Sequence, residues 1–240
     1  MNCREIAVSI CTMSTTAFVL RRQPANLQRL LDTLQSSPLV HVCDAAATIC
    51  RARTALQGAK VDALVCDLRF DDGDALALVS ELARGELNGQ RTCVLVLTAG
   101  SDDKLLFEAL LAGADGYYVD RGDAMRGVDL AVAAVVRGES QIDPLVARQV
   151  LNHFDQPLGH CGLLGRHAVD DFVETGSGSR RSRLEAGQRR LVTLISQGVS
   201  IAALARDYAL KPSEIGLATR EIYRKMQRDR LIDAAALLAA

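Results

Sequence analysis

The sequence predicts an α/β chain: a flavodoxin-like, doubly wound parallel sheet of five strands, joined to a second, smaller all-helical domain of helix-turn-helix form. Two observations carry that expectation. Apolar runs alternate with stretches of helical period up to about residue 138, which is the signature of successive βα units. Beyond a Gly- and Ser-rich interruption, apolar residues recur at helical spacing in short pieces separated by stop and start signals.

In chain order, the apolar runs 15–20 (TTAFVL), 39–43 (LVHVC), 61–66 (VDALVC), 93–98 (CVLVLT) and 116–119 (GYYV) read as strands buried on both faces. Between them, 24–36, 46–57, 74–84, 102–112 and 124–137 read as helices. In the first of these, Leu27, Leu30, Leu31 and Leu34 fall at i, i+3, i+4 and i+7. The simplest strand order for five such units is 2-1-3-4-5. Residues 1–13 precede the first strand, and Met13 is an alternative start. Residues 141–153 form one more helix, with Asp143 as N-cap and Pro144 at its first position. The stretch 156–182 reads as a linker by composition. Four helical pieces follow at 186–197, 200–207, 212–227 and 229–238. Gly198 stops the first, Ser200 caps the second and Pro212 opens the third. The domain reading is thus 1–140, a helix and linker over 141–183, and 184–240.

Composition narrows the function classes. No apolar run reaches the ~18–20 residues a membrane-spanning helix needs, and the N-terminus lacks a signal-peptide core. The expected location is the cytoplasm, with no membrane partner. The seven cysteines include no C-x-x-C pair, and Cys43, Cys66 and Cys93 read as small buried apolar residues. No nucleophile–base pair, metal cluster or phosphate-binding glycine loop appears, so neither an enzyme nor a cofactor is expected. The charge is unevenly spread: residues 180–240 carry +6 and residues 1–179 carry −7. A basic tail behind an acidic front half points to a polyanionic partner.

Asp67 closes the run 61–66, at the strand edge where open α/β sheets place their chemistry. The segment VDALVCDLRFDDGDALALVSEL, with TCVLVLTAG and EALLAGADGYYVD, resembles the receiver domain of bacterial response regulators. The string SRLEAGQRRLVTLISQGVSIAALARDYALKPSEIGLATREIYRKM resembles the C-terminal DNA-binding domain of NarL/LuxR-type regulators. In that register Asp67 is at the phosphoacceptor position, and Thr98 and Tyr118 fit the switch pair. The resemblance departs where the chemistry lies. Arg21 and Arg22 stand where the family has its magnesium-binding acidic pair, and Asp120 stands where it has a lysine. Arginine cannot ligate magnesium, whose ligands are oxygens. Asp71 and Asp72 are substitute ligands or, in the plainer reading, solvated loop carboxylates. Because the first and third strands are neighbours, Arg21 or Arg22 is expected to pair with Asp67. The alternative leaves both arginines in water at the strand end.

The resemblance makes 212–227 the recognition helix. Ile215, Ala218, Thr219, Ile222 and Met226 form its packing stripe. Ser213, Glu214, Gly216, Leu217, Arg220, Glu221, Arg224 and Arg228 are expected to face outward. The candidate DNA contacts are Ser213, Glu214, Leu217, Arg220, Arg224, Lys225 and Arg228, with the basic ones on phosphates. Residues 229–238 resemble the family's dimerisation helix, or simply close the small core. The expectation is an atypical response regulator: a homodimer on double-stranded DNA, its receiver working without phosphorylation and open to a protein partner. Two alternatives stand. One is a protein-interaction module that has lost specific DNA binding. The other is a conventional regulator phosphorylated on Asp67.

Overall fold

A computed structural model describes residues 14–101, 104–121, 125–155 and 182–238. The N-terminal segment with Met13, and the linker 156–181 with Arg180 and Arg181, lie outside the described residues. So do the side chains of residues 233–238, including Ala235 and Leu238.

The described chain runs β1 (Thr15–Leu20), α1 (Pro24–Gln35), β2 (Val40–Ala46), α2 (Ile49–Leu56), β3 (Ala63–Cys66), the small hairpin β4 (Arg69–Phe70) and β5 (Gly73–Asp74), and α3 (Leu76–Arg84). It continues with β6 (Cys93–Thr98), α4 (Lys104–Ala112), β7 (Gly116–Val119), α5 (Val128–Val136) and α6 (Pro144–Asp155). The C-terminal part holds α7 (Ala186–Ser196), α8 (Ile201–Asp207) and α9 (Pro212–Leu238). Five strands pair in parallel in the order β2-β1-β3-β6-β7, the expected flavodoxin-like arrangement. The hairpin after β3 is an addition that the apolar pattern does not signal, because its strands are two residues each.

The sheet is covered on both faces, which is why its strands are almost wholly apolar. On one face Leu30 and Leu34 of α1 and Val128 and Val132 of α5 bury against Val19, Val65 and Leu97. On the other, Leu78, Leu82, Leu106 and Leu110 cover Phe18, Leu64 and Val96, and the same cluster continues through Ile142 and Val150 to Val192, Ile222 and Tyr223. The C-terminal helices therefore share a core with the sheet domain through α6, which packs along α7.

Cap residues fall where the sequence places them. Asp143 Oδ1 accepts from the N–H groups of Leu145 at 2.9 Å and Val146 at 3.0 Å, and Ser200 accepts from Ala203 N–H at 3.1 Å. One boundary is corrected: the expected helices 212–227 and 229–238 are the single helix α9. No Gly or Pro interrupts the chain there, and Asp229 is buried, accepting from Ser182 N–H at 2.8 Å. Among the described residues no helix is long and apolar enough to cross a membrane.

Asp143 also accepts from the Tyr117 hydroxyl at 2.8 Å through its other oxygen. Asp143→Ala should therefore remove a cap worth about 1 kcal/mol and leave a mostly buried hydroxyl unpaired at about 1–3 kcal/mol more. Urea unfolding of Asp143→Ala beside Asp143→Asn, which keeps the cap, measures the difference.

Candidate functional site

The first site lies at the C-terminal edge of the sheet. The β1–β3 register sets Leu20 opposite Cys66, so the next residues, Arg21 and Asp67, emerge side by side. The Asp67 N–H donates to Leu20 C=O at 3.0 Å, which fixes the carboxylate's origin. Arg21 is 6% exposed and lies between two carboxylates. Its Nε is 3.4 Å from Asp67 Oδ1, and its Nη2 donates to Asp120 Oδ2 at 3.1 Å. The Nε pair is close enough to be ionic but off the N–H line, so that nitrogen makes no hydrogen bond. Nη1 reaches Asn26 C=O and the sulfur of Met125.

Arg22 contributes its backbone instead, donating N–H to Asp67 Oδ2 at 3.1 Å. Its half-exposed side chain turns outward to Asp71 at 3.1 Å. Burial raises the Asp67 pKa above the usual carboxylate range. The charge of Arg21 and the Arg22 N–H oppose that shift, and the charge of Asp120 adds to it.

Arg21, Arg22, Asp67, Thr98 and Asp120 line one cavity of about 320 Å³. Tyr118 is not on its wall; its hydroxyl donates to Arg126 C=O at 2.7 Å. The Thr98 hydroxyl donates to Gly100 C=O at 2.7 Å, within its own loop. Asn26, which also lines the cavity, and Met125 were not signalled by sequence, because both are brought in by the loops and helix start around the sheet edge rather than by a strand end.

The donor set does not fit magnesium. A buried guanidinium already occupies the space between the two carboxylates, and a divalent cation would face its fixed charge. Asp71 is turned to Arg22. Asp72 serves the start of α2, where its Oδ2 accepts from Cys50 N–H at 3.0 Å, the bond that lowers its pKa. Among the described residues no group of three or more His, Cys, Asp or Glu could hold a metal ion.

The second site is α9, and here several expectations are corrected. Arg220 does not face outward. It is 1% exposed, and its guanidinium pairs with the fully buried carboxylate of Asp115, just before β7. Asp115 also pairs with Arg91 and accepts from Val94 N–H at 2.7 Å. Arg220 Nε and Nη1 make no hydrogen bond, and burial, then the charge of Arg91, lower its pKa. Around it the same helix face meets the sheet domain. Gly216 C=O accepts from Ser140 N–H at 3.0 Å, the Tyr223 hydroxyl donates to Gln141 C=O at 2.8 Å, and the Gln227 amide donates to Leu110 and Ala114 C=O, each at 3.0 Å. A Cβ at Gly216 would lie 3.0 Å from Glu139 Cβ, so glycine permits this approach.

Lys225 is likewise held internally. It bonds Gln188 at 2.7 Å and Glu185 at 3.1 Å, at the capped start of α7. Ser213 is half-buried, while Glu214, Leu217, Arg224 and Arg228 are exposed. Glu214 accepts from Lys211 N–H at 2.6 Å, and Arg224 pairs with Glu221 at 2.7 Å. The helical period separates one apolar stripe from the rest of the helix. It does not disclose that a second stripe, at 216, 220, 223 and 227, is buried by another part of the chain.

An open parallel sheet with an aspartate at its C-terminal crevice, followed by helices in helix-turn-helix form, is the architecture of a two-component response regulator. No family model matches the chain. It is similar to the DNA-binding transcriptional activator DevR/DosR of Mycobacterium tuberculosis, at 31% identity over 208 residues that cover 86% of this chain and 85% of that protein. It is also similar to the oxygen regulatory protein NreC of Staphylococcus carnosus, at 29% identity over 121 residues, 50% of this chain and 54% of that protein. A solved complex of the response regulator RcsB with DNA overlaps 89% of this chain and 92% of its own, with a TM-score of 0.49 and 16% identity. The likeness to DevR/DosR spans both halves, and the chain belongs to the NarL/LuxR-type response regulators.

Removing Arg21 should expose the cost of its two carboxylates. Arg21→Met should destabilise the fold by about 3 kcal/mol, as breaking a buried ion pair does. Arg22→Ala, which removes a surface pair, should cost under ~1 kcal/mol. Chemical denaturation of the two variants side by side tests the contrast.

Proposed function

We propose that this chain, a DNA-binding transcriptional regulator of the response-regulator family, works without phosphoryl transfer to Asp67. The observation that carries this reading is Arg21, buried between Asp67 and Asp120. Its guanidinium supplies in place the positive charge that a metal ion and a lysine bring to a family pocket. A phosphoryl group arriving at Asp67 would have to displace an ion pair already formed, and the neighbouring carboxylate of Asp120 is already engaged by the same guanidinium instead of a metal.

The DNA-reading surface is α9, and in this arrangement part of it is covered. Arg224 and Arg228 remain for phosphate contacts, with Glu214 and Leu217 at the exposed start of the helix. Arg220 becomes available to DNA only when it leaves Asp115. Gly216, Arg220, Tyr223 and Gln227 each make a polar contact across to the sheet domain and the segment that follows it, and such contacts can be exchanged for water when the helix leaves. The protein binds double-stranded DNA as a homodimer, with the exposed Leu231 near the end of α9 as a contact for the second copy.

Incubation with acetyl phosphate and magnesium, followed by intact-mass measurement, should show no added phosphate. A stoichiometric adduct that disappears in Asp67→Asn would sink the reading. Asp115→Asn leaves Arg220 buried without a counter-ion and should shift the chain towards the uncovered form. DNA affinity should then rise about fivefold or more, the scale of a coupling free energy of 1–3 kcal/mol. Arg224→Ala should weaken binding alike on all sequences and flatten its salt dependence. If genomic fragments are bound no better than random DNA, the protein-interaction alternative takes its place.

A further inference from the structure

We propose that the cleft between α3, the end of α4 and α9 is a binding site for a small organic polyphosphate of the nucleoside di- or triphosphate class. This assignment rests on the covered arrangement of α9 described above. The cleft encloses about 600 Å³, within the range of sites for such molecules. Five arginines line it: Arg84, Arg91, Arg224, Arg228 and Arg230. Arg220 lies behind Arg91, on the same Asp115 carboxylate.

These guanidiniums are not balanced by the protein. Arg84 pairs with Glu86 and Arg224 with Glu221, and Arg91 and Arg220 share Asp115. Among the described residues Arg230 meets the Glu108 carbonyl and Arg228 has no carboxylate partner. The single carboxylate on the cleft wall, Glu81, is already paired with Arg53. Among the described residues six guanidiniums thus face three carboxylates. Clustered like charges at a low-dielectric wall repel each other, and an anion entering the cleft relieves that repulsion. Guanidinium forks bind phosphoryl oxygens in bidentate fashion. Leu111 and Leu231 give the cleft an apolar side against which a flat base can lie.

The enclosure argues against duplex DNA as the occupant. Arg84 and Arg91 belong to the sheet domain and Arg224 to Arg230 to α9, so the cleft exists only while α9 is covered. A ligand bridging the two parts holds them together and must lower DNA affinity by the factor with which DNA lowers its own.

The test is calorimetric titration of the full chain with ATP and, separately, with inorganic tripolyphosphate, at near-physiological salt and without DNA. Saturable binding of both is expected, tighter for ATP. Arg84→Glu, a change on the sheet domain away from the DNA-reading helix, should weaken it by about tenfold or more. Saturating ATP should lower the DNA affinity of the wild type and have less effect on Arg84→Glu. Absence of saturable binding at millimolar concentration, or binding indifferent to Arg84→Glu, overturns the proposal. Tripolyphosphate binding without a gain for ATP overturns the nucleotide class. If Asp115→Asn strengthens DNA binding while neither probe binds, the covered arrangement stands and the cleft assignment alone falls.

Discussion

The two halves of this protein are held in register by one buried carboxylate. Asp115 accepts a backbone N–H from β6, a guanidinium from the loop before β6, and a second guanidinium from α9. A fully desolvated carboxylate is costly unless its lone pairs are taken up, and here they are taken up from three separate parts of the chain. Lose one, and the sheet edge and the helix lose their common anchor. The arrangement is also imperfect. Two cations share one anion, and two buried nitrogens of Arg220 have no acceptor among the described residues. Unsatisfied buried donors of this kind cost about 1–3 kcal/mol each, so the interface is strong in geometry and modest in net free energy.

Strand β7 ties this anchor to the pocket at the other edge of the sheet. Asp115 precedes it and Asp120 follows it, so its four residues, about 13 Å of extended chain, separate the ion group that holds α9 from the one that holds Arg21. The side chains between are not idle. Tyr117 bonds Asp143 at the start of α6, and its carbonyl accepts from the side chain of Gln141, whose own carbonyl receives the Tyr223 hydroxyl. A displacement of β7 along its own axis would be felt at both ends.

Much of this was legible in the sequence, for physical reasons that differ by element. Strands such as 15–20 and 61–66 announce themselves by their continuous buried stretches, AFVL and ALVC, where burial on both faces leaves no polar positions. That Arg21 or Arg22 would meet Asp67 followed from strand adjacency, since neighbouring parallel strands must end side by side; which of the two turns inward did not. Arg220 was misread because helical periodicity reports which residues avoid water, and a buried arginine carries no such mark. Asp115 drew no notice for the same reason: nothing in its neighbours reveals that two distant arginines converge on it. The break expected after residue 227 went with the resemblance of 229–238 to the family's dimerisation helix, and the chain carries no Gly or Pro there to stop α9. The hairpin at β4 and β5 is too short for any periodicity to show.

The charges of the pocket have been transposed rather than erased. Relative to the family pattern, a cation stands at the end of β1 in place of acid, and an acid stands at the end of β7 in place of a cation. Restoring lysine at 120 alone would set it against buried Arg21, two like charges with one aspartate between them. Restoring an acid at 21 alone would bring three carboxylates together with no cation. Either single change incurs a folding penalty that the present arrangement avoids. The two positions are thus coupled: a change at either alone costs more than a change at both together, while the surface around the pair is free to vary.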